Sequence, residues 1–115
     1  MKKLCIILIT LFLSISMLAQ NAQPCSTCLP DGISFTAQAQ IDNFQINYPG
    51  CTVIEGYISI SGNDITNLNG LDVVTSIGDD LDLNNNNTLT SLTGLNNVTS
   101  IGGSLNIGWN EALTS

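Results

Sequence analysis

Histidine is missing from this sequence, and the only basic side chains are Lys2 and Lys3 at its start. That shortage removes whole classes of function. A Ser-His-Asp triad, a Cys-His pair and a Schiff-base lysine each lack a member. Binding to phosphate backbones relies on Lys and Arg to displace counterions, so no nucleic-acid partner is expected. Attraction to anionic lipid head groups fails for the same reason. Zinc is left with cysteines and carboxylates, and the cysteines are better used in a disulfide. No cofactor is expected, and the chain is not read as an enzyme.

The sequence also lacks an apolar run long enough to span a bilayer. Met1-Lys2-Lys3 is a short basic start, residues 4–18 are almost unbrokenly apolar, and Ala19-Gln20 supplies a small-residue exit. A span needs about 20 apolar residues, whereas this pattern fits a secretory signal peptide over residues 1–20. Lipoprotein processing does not fit, since Cys25 follows Gln23-Pro24 and Cys5 lies too early. The expectation is a secreted or cell-surface protein with no membrane insertion once the signal is removed. Its removal leaves nine carboxylates and no cation. Such a surface favours solubility and can concentrate cations, solubility being the simpler reading.

What is present is repetition. Leu68-Asn69-Gly70-Leu71 returns as Leu92-Thr93-Gly94-Leu95, and Val74-Thr75-Ser76-Ile77-Gly78 as Val98-Thr99-Ser100-Ile101-Gly102, both at a spacing of 24. The pairs Ile58 and Ile60, Leu81 and Leu83, and Leu105 and Ile107 alternate with polar residues, so each pair points inward from a short strand. Between strands the apolar period becomes three, as in Ile65, Leu68, Leu71, Val74 and Ile77. Neither an α-helix nor a long strand keeps that spacing, but a tightly coiled solenoid does. Asn63, Asn86 and Asn110 each follow the second inward residue by three positions, giving the L-x-L-x-x-N core of a leucine-rich repeat. They are read as a structural asparagine ladder that satisfies backbone groups at the corners. The first strand precedes the second by 23 residues, which assigns a one-residue shortening to the corner at residues 63–65. Gly70 and Gly94 recur in register, as expected where the backbone turns through positive φ or meets its neighbour closely.

Ahead of the array, residues 21–32 read as an exposed lead-in and residues 33–50 as a strand and capping helix. Ile33-Ser34-Phe35 alternates, Thr36 is the expected N-cap, and Ala37, Ile41, Phe44 and Tyr48 share one face of a three-turn helix ended by Pro49-Gly50. Residues 51–115 form the repeat region. Export permits disulfides, and three cysteines, Cys25, Cys28 and Cys51, follow the signal. Cys28 with Cys51 is the preferred pair, clipping a loop worth about 3 kcal/mol, and Cys25 with Cys51 is the alternative. Cys25-Ser26-Thr27-Cys28 has redox spacing, but no βαβ pattern surrounds it and no basic group lowers a thiol pKa.

The stretch Cys51-Thr52-Val53-Ile54-Glu55-Gly56-Tyr57-Ile58-Ser59-Ile60 resembles the opening of the receptor L domain in insulin-receptor and epidermal-growth-factor-receptor ectodomains. The asparagine-rich repeats after it are similar to those of bacterial surface proteins with L-domain or leucine-rich copies. The resemblance covers roughly residues 28–115. It implies a mainly β fold: a right-handed β-helix, or leucine-rich-repeat-like solenoid, of ~24-residue coils with an N-terminal capping helix. It also implies the Cys28–Cys51 pairing, though Cys25 is an addition that it does not explain.

The remaining chemistry is sparse. Asp79, Asp80 and Asp82 are weak calcium candidates, and Asp80 and Asp82, flanking an inward Leu81, are also a carboxylate pair of the kind used on glycosides. A solvated strand face is the simpler reading. Trp109, the only Trp, stands where Asn85 stands one coil earlier and is a candidate ligand contact. Paired Thr-Ser steps are assigned to corners and stacking. The expected function is a noncatalytic extracellular binding or adhesion module for an unidentified protein or glycan. A carbohydrate-active β-helix and a purely structural spacer are the alternatives. Ser115 aligns with Ser91 in mid-coil, so the chain is expected to be part of a longer protein, with further repeats of its own as neighbours and an apolar edge until they are present.

Overall fold

A computed structural model describes residues 27–114. The expected signal peptide and Cys25 lie outside them. The described chain is mainly β, arranged as two open, four-stranded, wholly parallel sheets. The first contains β1 (Thr27–Cys28), β3 (Val53–Ile54), β5 (Ser76–Ile77) and β7 (Ser100–Ile101), in that order. The second contains β2 (Ile33–Phe35), β4 (Ile58–Ile60), β6 (Leu81–Asn84) and β8 (Leu105–Gly108). Each strand therefore pairs with the copy of itself one repeat later. Ile58 faces Leu81 and Leu81 faces Leu105 across the second sheet, and Ile54 faces Ile77 and Ile77 faces Ile101 across the first.

The period-two and period-three apolar positions converge on one core between the sheets. Ile58, Ile60, Ile65, Leu68, Leu71, Val74, Leu83 and Leu89 have no exposed surface at all. Burial on this scale is what makes strands of two to four residues stable, since such short elements have little stability of their own.

The lead-in and the Ile33-Ser34-Phe35 strand prove to be the first members of the two sheets. Thr27 pairs with Val53 and Ile33 with Ile58, so the stack begins one repeat before the recognisable motif. The Cys28–Cys51 disulfide, with Cα atoms 5.6 Å apart, ties this first repeat to the next. That separation lies within the usual disulfide range.

The expected three-turn helix is two short ones, α1 (Gln38–Asp42) and α2 (Phe44–Asn47). They break at Asn43, whose φ of −96° and ψ of 6° leave the helical region. Thr36 is not the N-cap. Ala37 holds that place, and the Gln40 side chain reaches back to accept the Ala37 amide at 3.0 Å. Ile41 and Phe44 are buried, with Phe44 edge-on to Phe35 at 5.9 Å between ring centroids. Tyr48, expected on the same face, is partly exposed because α2 ends there.

Two glutamines fasten this segment to the repeat that follows. Gln38 Oε1 accepts the amides of Thr66 and Asn67 at 2.8 and 3.1 Å while its Nε2 donates to the Asn67 carbonyl, so one side chain acts as a strand partner. Gln45 donates to the Gly70 carbonyl at 3.1 Å. Gly70 needs no left-handed backbone here. A Cβ on it would strike the Ile41 carbonyl, whereas its copy Gly94 does turn through a φ of +115° against Leu68.

Candidate binding surface

The second sheet sets a polar residue outward at the same register on each strand. Ser34, Ser59, Asp82 and Asn106 lie in one register row, flanked by inward apolar residues on both sides. Tyr57, just before β4, is exposed and its hydroxyl lies 3.5 Å from Ser34 Oγ. This row forms a continuous polar strip across four repeats. The equivalent strip on the first sheet carries Ser76 and Ser100, hydrogen-bonded at 3.0 Å.

The three aspartates singled out in the sequence do not converge on a common centre. Asp80 Oδ1 accepts the Ser104 amide at 2.7 Å, and Asp82 Oδ1 accepts a hydrogen bond from Asn106 Nδ2. Asp79 contributes its backbone carbonyl to the Gly103 amide at 3.0 Å, with its side chain exposed. Each residue is therefore engaged with the next repeat. Among the described residues no three His, Cys, Asp or Glu side chains are grouped to hold a metal ion.

The asparagine ladder is built from Asn86 and Asn110, whose side chains satisfy backbone groups of the repeat before. Asn86 is fully buried; its Oδ1 accepts the Gly62 amide at 2.8 Å and its Nδ2 donates to the Ile60 carbonyl at 2.9 Å. Asn110 repeats the arrangement one level on, accepting the Asn86 amide at 2.9 Å and donating to the Leu83 carbonyl at 2.8 Å. Asn63 is exposed and stands in register with Asn87, whose Nδ2 lies 3.4 Å from Asn63 Oδ1. The ladder position in its repeat is Gly62. The missing residue therefore belongs between Ile60 and Gly62, one step earlier than the corner at residues 63–65, because later repeats insert an extra left-handed residue there. Asn85 has φ +63° and Trp109 φ +52°, whereas Ser61 turns the first corner without one.

Counting 24 residues back from Asn86 lands on Gly62, so the sequence contained the signal. The 23-residue strand spacing concealed it. The stacking hydroxyls satisfy backbone carbonyls as well: Thr75, Thr99 and Thr114 donate to Thr52, Thr75 and Thr90.

Trp109 is 77% exposed, the most open large apolar side chain in the described chain. A bulky residue at positive φ is strained, whereas asparagine tolerates the same corner well. Beyond β8 an open apolar groove of about 220 Å³ is lined by Leu83, Leu95, Ile101, Leu105 and Ile107, among others.

Parallel repeats, disulfide-clipped at the start and carrying a polar strip, define a repeat protein. The Receptor L domain family model matches residues 50–114, more than half of the chain, and the protein belongs to that family. Receptor L domains are extracellular, noncatalytic ligand-binding modules of receptors. Neither a curated protein nor a solved structure matches the chain. No helix among the described residues is long and apolar enough to cross a membrane.

Proposed function

We propose that this chain is a noncatalytic recognition or adhesion module, secreted or displayed at the cell surface after cleavage near residue 20, and wound as a right-handed β-helix of about 24 residues per coil. The parallel ladders support that hand, since crossovers between parallel strands of one sheet are right-handed in nearly all known cases. Its ligand is a protein or a glycan, held on the outward row of the second sheet, with Trp109 as an aromatic contact at the corner.

The observation that carries the reading is the use of Asp80 and Asp82. Both carboxylates bond to the next repeat, which leaves a flat polar strip rather than a reactive pair. Family membership supports the same conclusion.

The test is to probe the purified, oxidised chain against immobilised glycans and extracellular protein domains. A saturable partner whose affinity falls about tenfold or more in Trp109→Ala or Ser59→Lys is expected, as contacts near the centre of an interface dominate affinity. A partner indifferent to both changes would move the site elsewhere. Glycan hydrolysis that disappears in the folded Asp80→Asn/Asp82→Asn double variant would replace the binding reading with the carbohydrate-active one.

A further inference from the structure

The sequence contains one Asn-Gly step, Asn69-Gly70, and one Asp-Gly step, Asp31-Gly32. Both are open to the same chemistry, in which the glycine nitrogen, unshielded by a Cβ, attacks the preceding side-chain carbonyl carbon and closes a succinimide. The fold treats the two steps differently. Gly32 donates its amide to the Leu29 carbonyl at 3.0 Å, and the Tyr57 ring lies where a Cβ on Gly32 would go. Its nitrogen is engaged and covered. The Gly70 amide donates to no group among the described residues, and the Asn69 side chain beside it is exposed. Packing also demands this glycine, because a Cβ at position 70 would lie 2.0 Å from the Ile41 carbonyl oxygen. Its copy Gly94 meets Leu68 as closely, but Thr93 before it has no carboxamide to attack.

We infer that Asn69 is a spontaneous modification site, where the Asn69-Gly70 step converts to aspartate and isoaspartate. The Gly70 nitrogen gives up its proton and bonds to Asn69 Cγ, the side-chain nitrogen leaves as ammonia, and water opens the succinimide at either carbonyl. Asn69 begins the 3-10 turn Asn69–Leu71, closed by the Leu71 amide on the Leu68 carbonyl at 2.9 Å. Helical backbone keeps Cγ off the Gly70 nitrogen, so the reaction waits for the turn to open. Gln45 sets that opening. Its Nε2 donates to the Gly70 carbonyl at 3.1 Å and to Asp72 Oδ1 at 3.0 Å, fastening the turn to α2. Isoaspartate adds a methylene to the main chain just before Gly70, at its contact with the Ile41 carbonyl. The product therefore loosens the helical segment from the repeat, and the change accumulates with age.

The inference is independent of which ligand the polar strip binds. It is tested by holding the oxidised full chain at mildly alkaline pH for weeks, cutting samples with chymotrypsin and reading amide-to-acid conversion by mass spectrometry. Isoaspartate is identified with an isoaspartyl methyltransferase. Asn69 is expected to convert ahead of every other asparagine among the described residues, and ahead of isomerisation at Asp31. Gln45→Ala should speed conversion about fivefold, the factor for one net hydrogen bond lost from a local opening equilibrium. Asn69→Thr, which copies Thr93, should abolish the signal from that peptide, with amide hydrogen exchange showing that both variants stay folded. Faster conversion at another asparagine or at Asp31 overturns the inference. So does an intact Asn69 after a free peptide of residues 65–74 has converted under the same conditions. A Gln45→Ala rate equal to wild type overturns the control assigned to the clamp.

Discussion

The repeat around β6 and the repeat around β8 carry nearly the same pattern and differ sharply in burial. Leu83 and Ile107 occupy equivalent register positions, yet Leu83 is fully buried and Ile107 is 43% exposed. Asn86 is sealed between Gly62 and Asn110, whereas Asn110 is half-buried with a neighbour on one side only. In a repeat protein, local sequence chooses the conformation of each unit, and neighbours determine how much stability it has. The first repeats gain a disulfide, two glutamine clamps and a complete core. Among the described residues the repeat around β8 has the strands with less of that support.

The largest expected effects lie in the well-supported region. Leu83→Ala should cost about 2–5 kcal/mol in urea unfolding, the range for a large apolar side chain removed from a packed site, while Ile107→Ala should cost less than half as much. Equal losses would abolish the contrast between the two repeats. Replacing Cys28 and Cys51 by alanine should cost about 3 kcal/mol, measured as the difference between oxidised wild type and variant. If the variant unfolds at the same denaturant concentration, the clip does not stabilise the first repeats.

The asparagines sharpen the comparison further. Asn86→Ala leaves the Gly62 amide and the Ile60 carbonyl without that partner in a dry core, a loss of about 1–3 kcal/mol. Asn110→Ala should cost less, being half solvated, and Asn63→Ala should stay within about 0.5 kcal/mol, as for an exposed residue. A large loss at Asn63 would restore it to the ladder. The smallest effect is expected at Trp109. Trp109→Asn places a residue suited to the left-handed corner and should raise stability by about 1 kcal/mol in thermal unfolding. Unchanged or lower stability would mean that the Trp109 ring packs usefully against the protein despite its exposure.

Much of the fold was legible in the sequence, for a definite reason. Inward residues at period two, with corners at period three, leave a pattern that only short strands between frequent turns can satisfy, and Ile58, Leu81 and Leu105 marked the strands correctly. The first two strands were harder to see. Thr27-Cys28 has too few residues to show alternation, and Ile33-Ser34-Phe35 precedes a helical segment instead of the period-three apolar run that follows the later strands. The helix break at Asn43 was invisible because Ile41 and Phe44 keep helical spacing across it. Gly62 was missed because a glycine contributes only its backbone amide to the ladder, and no side chain advertises the position.

The candidate surface was less legible than the scaffold. Asp80 and Asp82 stood out as departures from the repeat, but sequence says only that they flank an inward residue of one strand. Their partners, the Ser104 amide and the Asn106 side chain, lie 24 residues away and meet them through stacking.

By itself the sequence determined the repeat length, the inward rows, the scarcity of basic side chains and the family, because each depends on residue type and spacing alone. Only the tertiary structure decided which asparagine is buried, where the extra corner residue sits, what the aspartates hold and which apolar pairs remain open. Those outcomes depend on what lies one repeat above and one below, and a chain with nearly identical units cannot express that difference until the units are stacked.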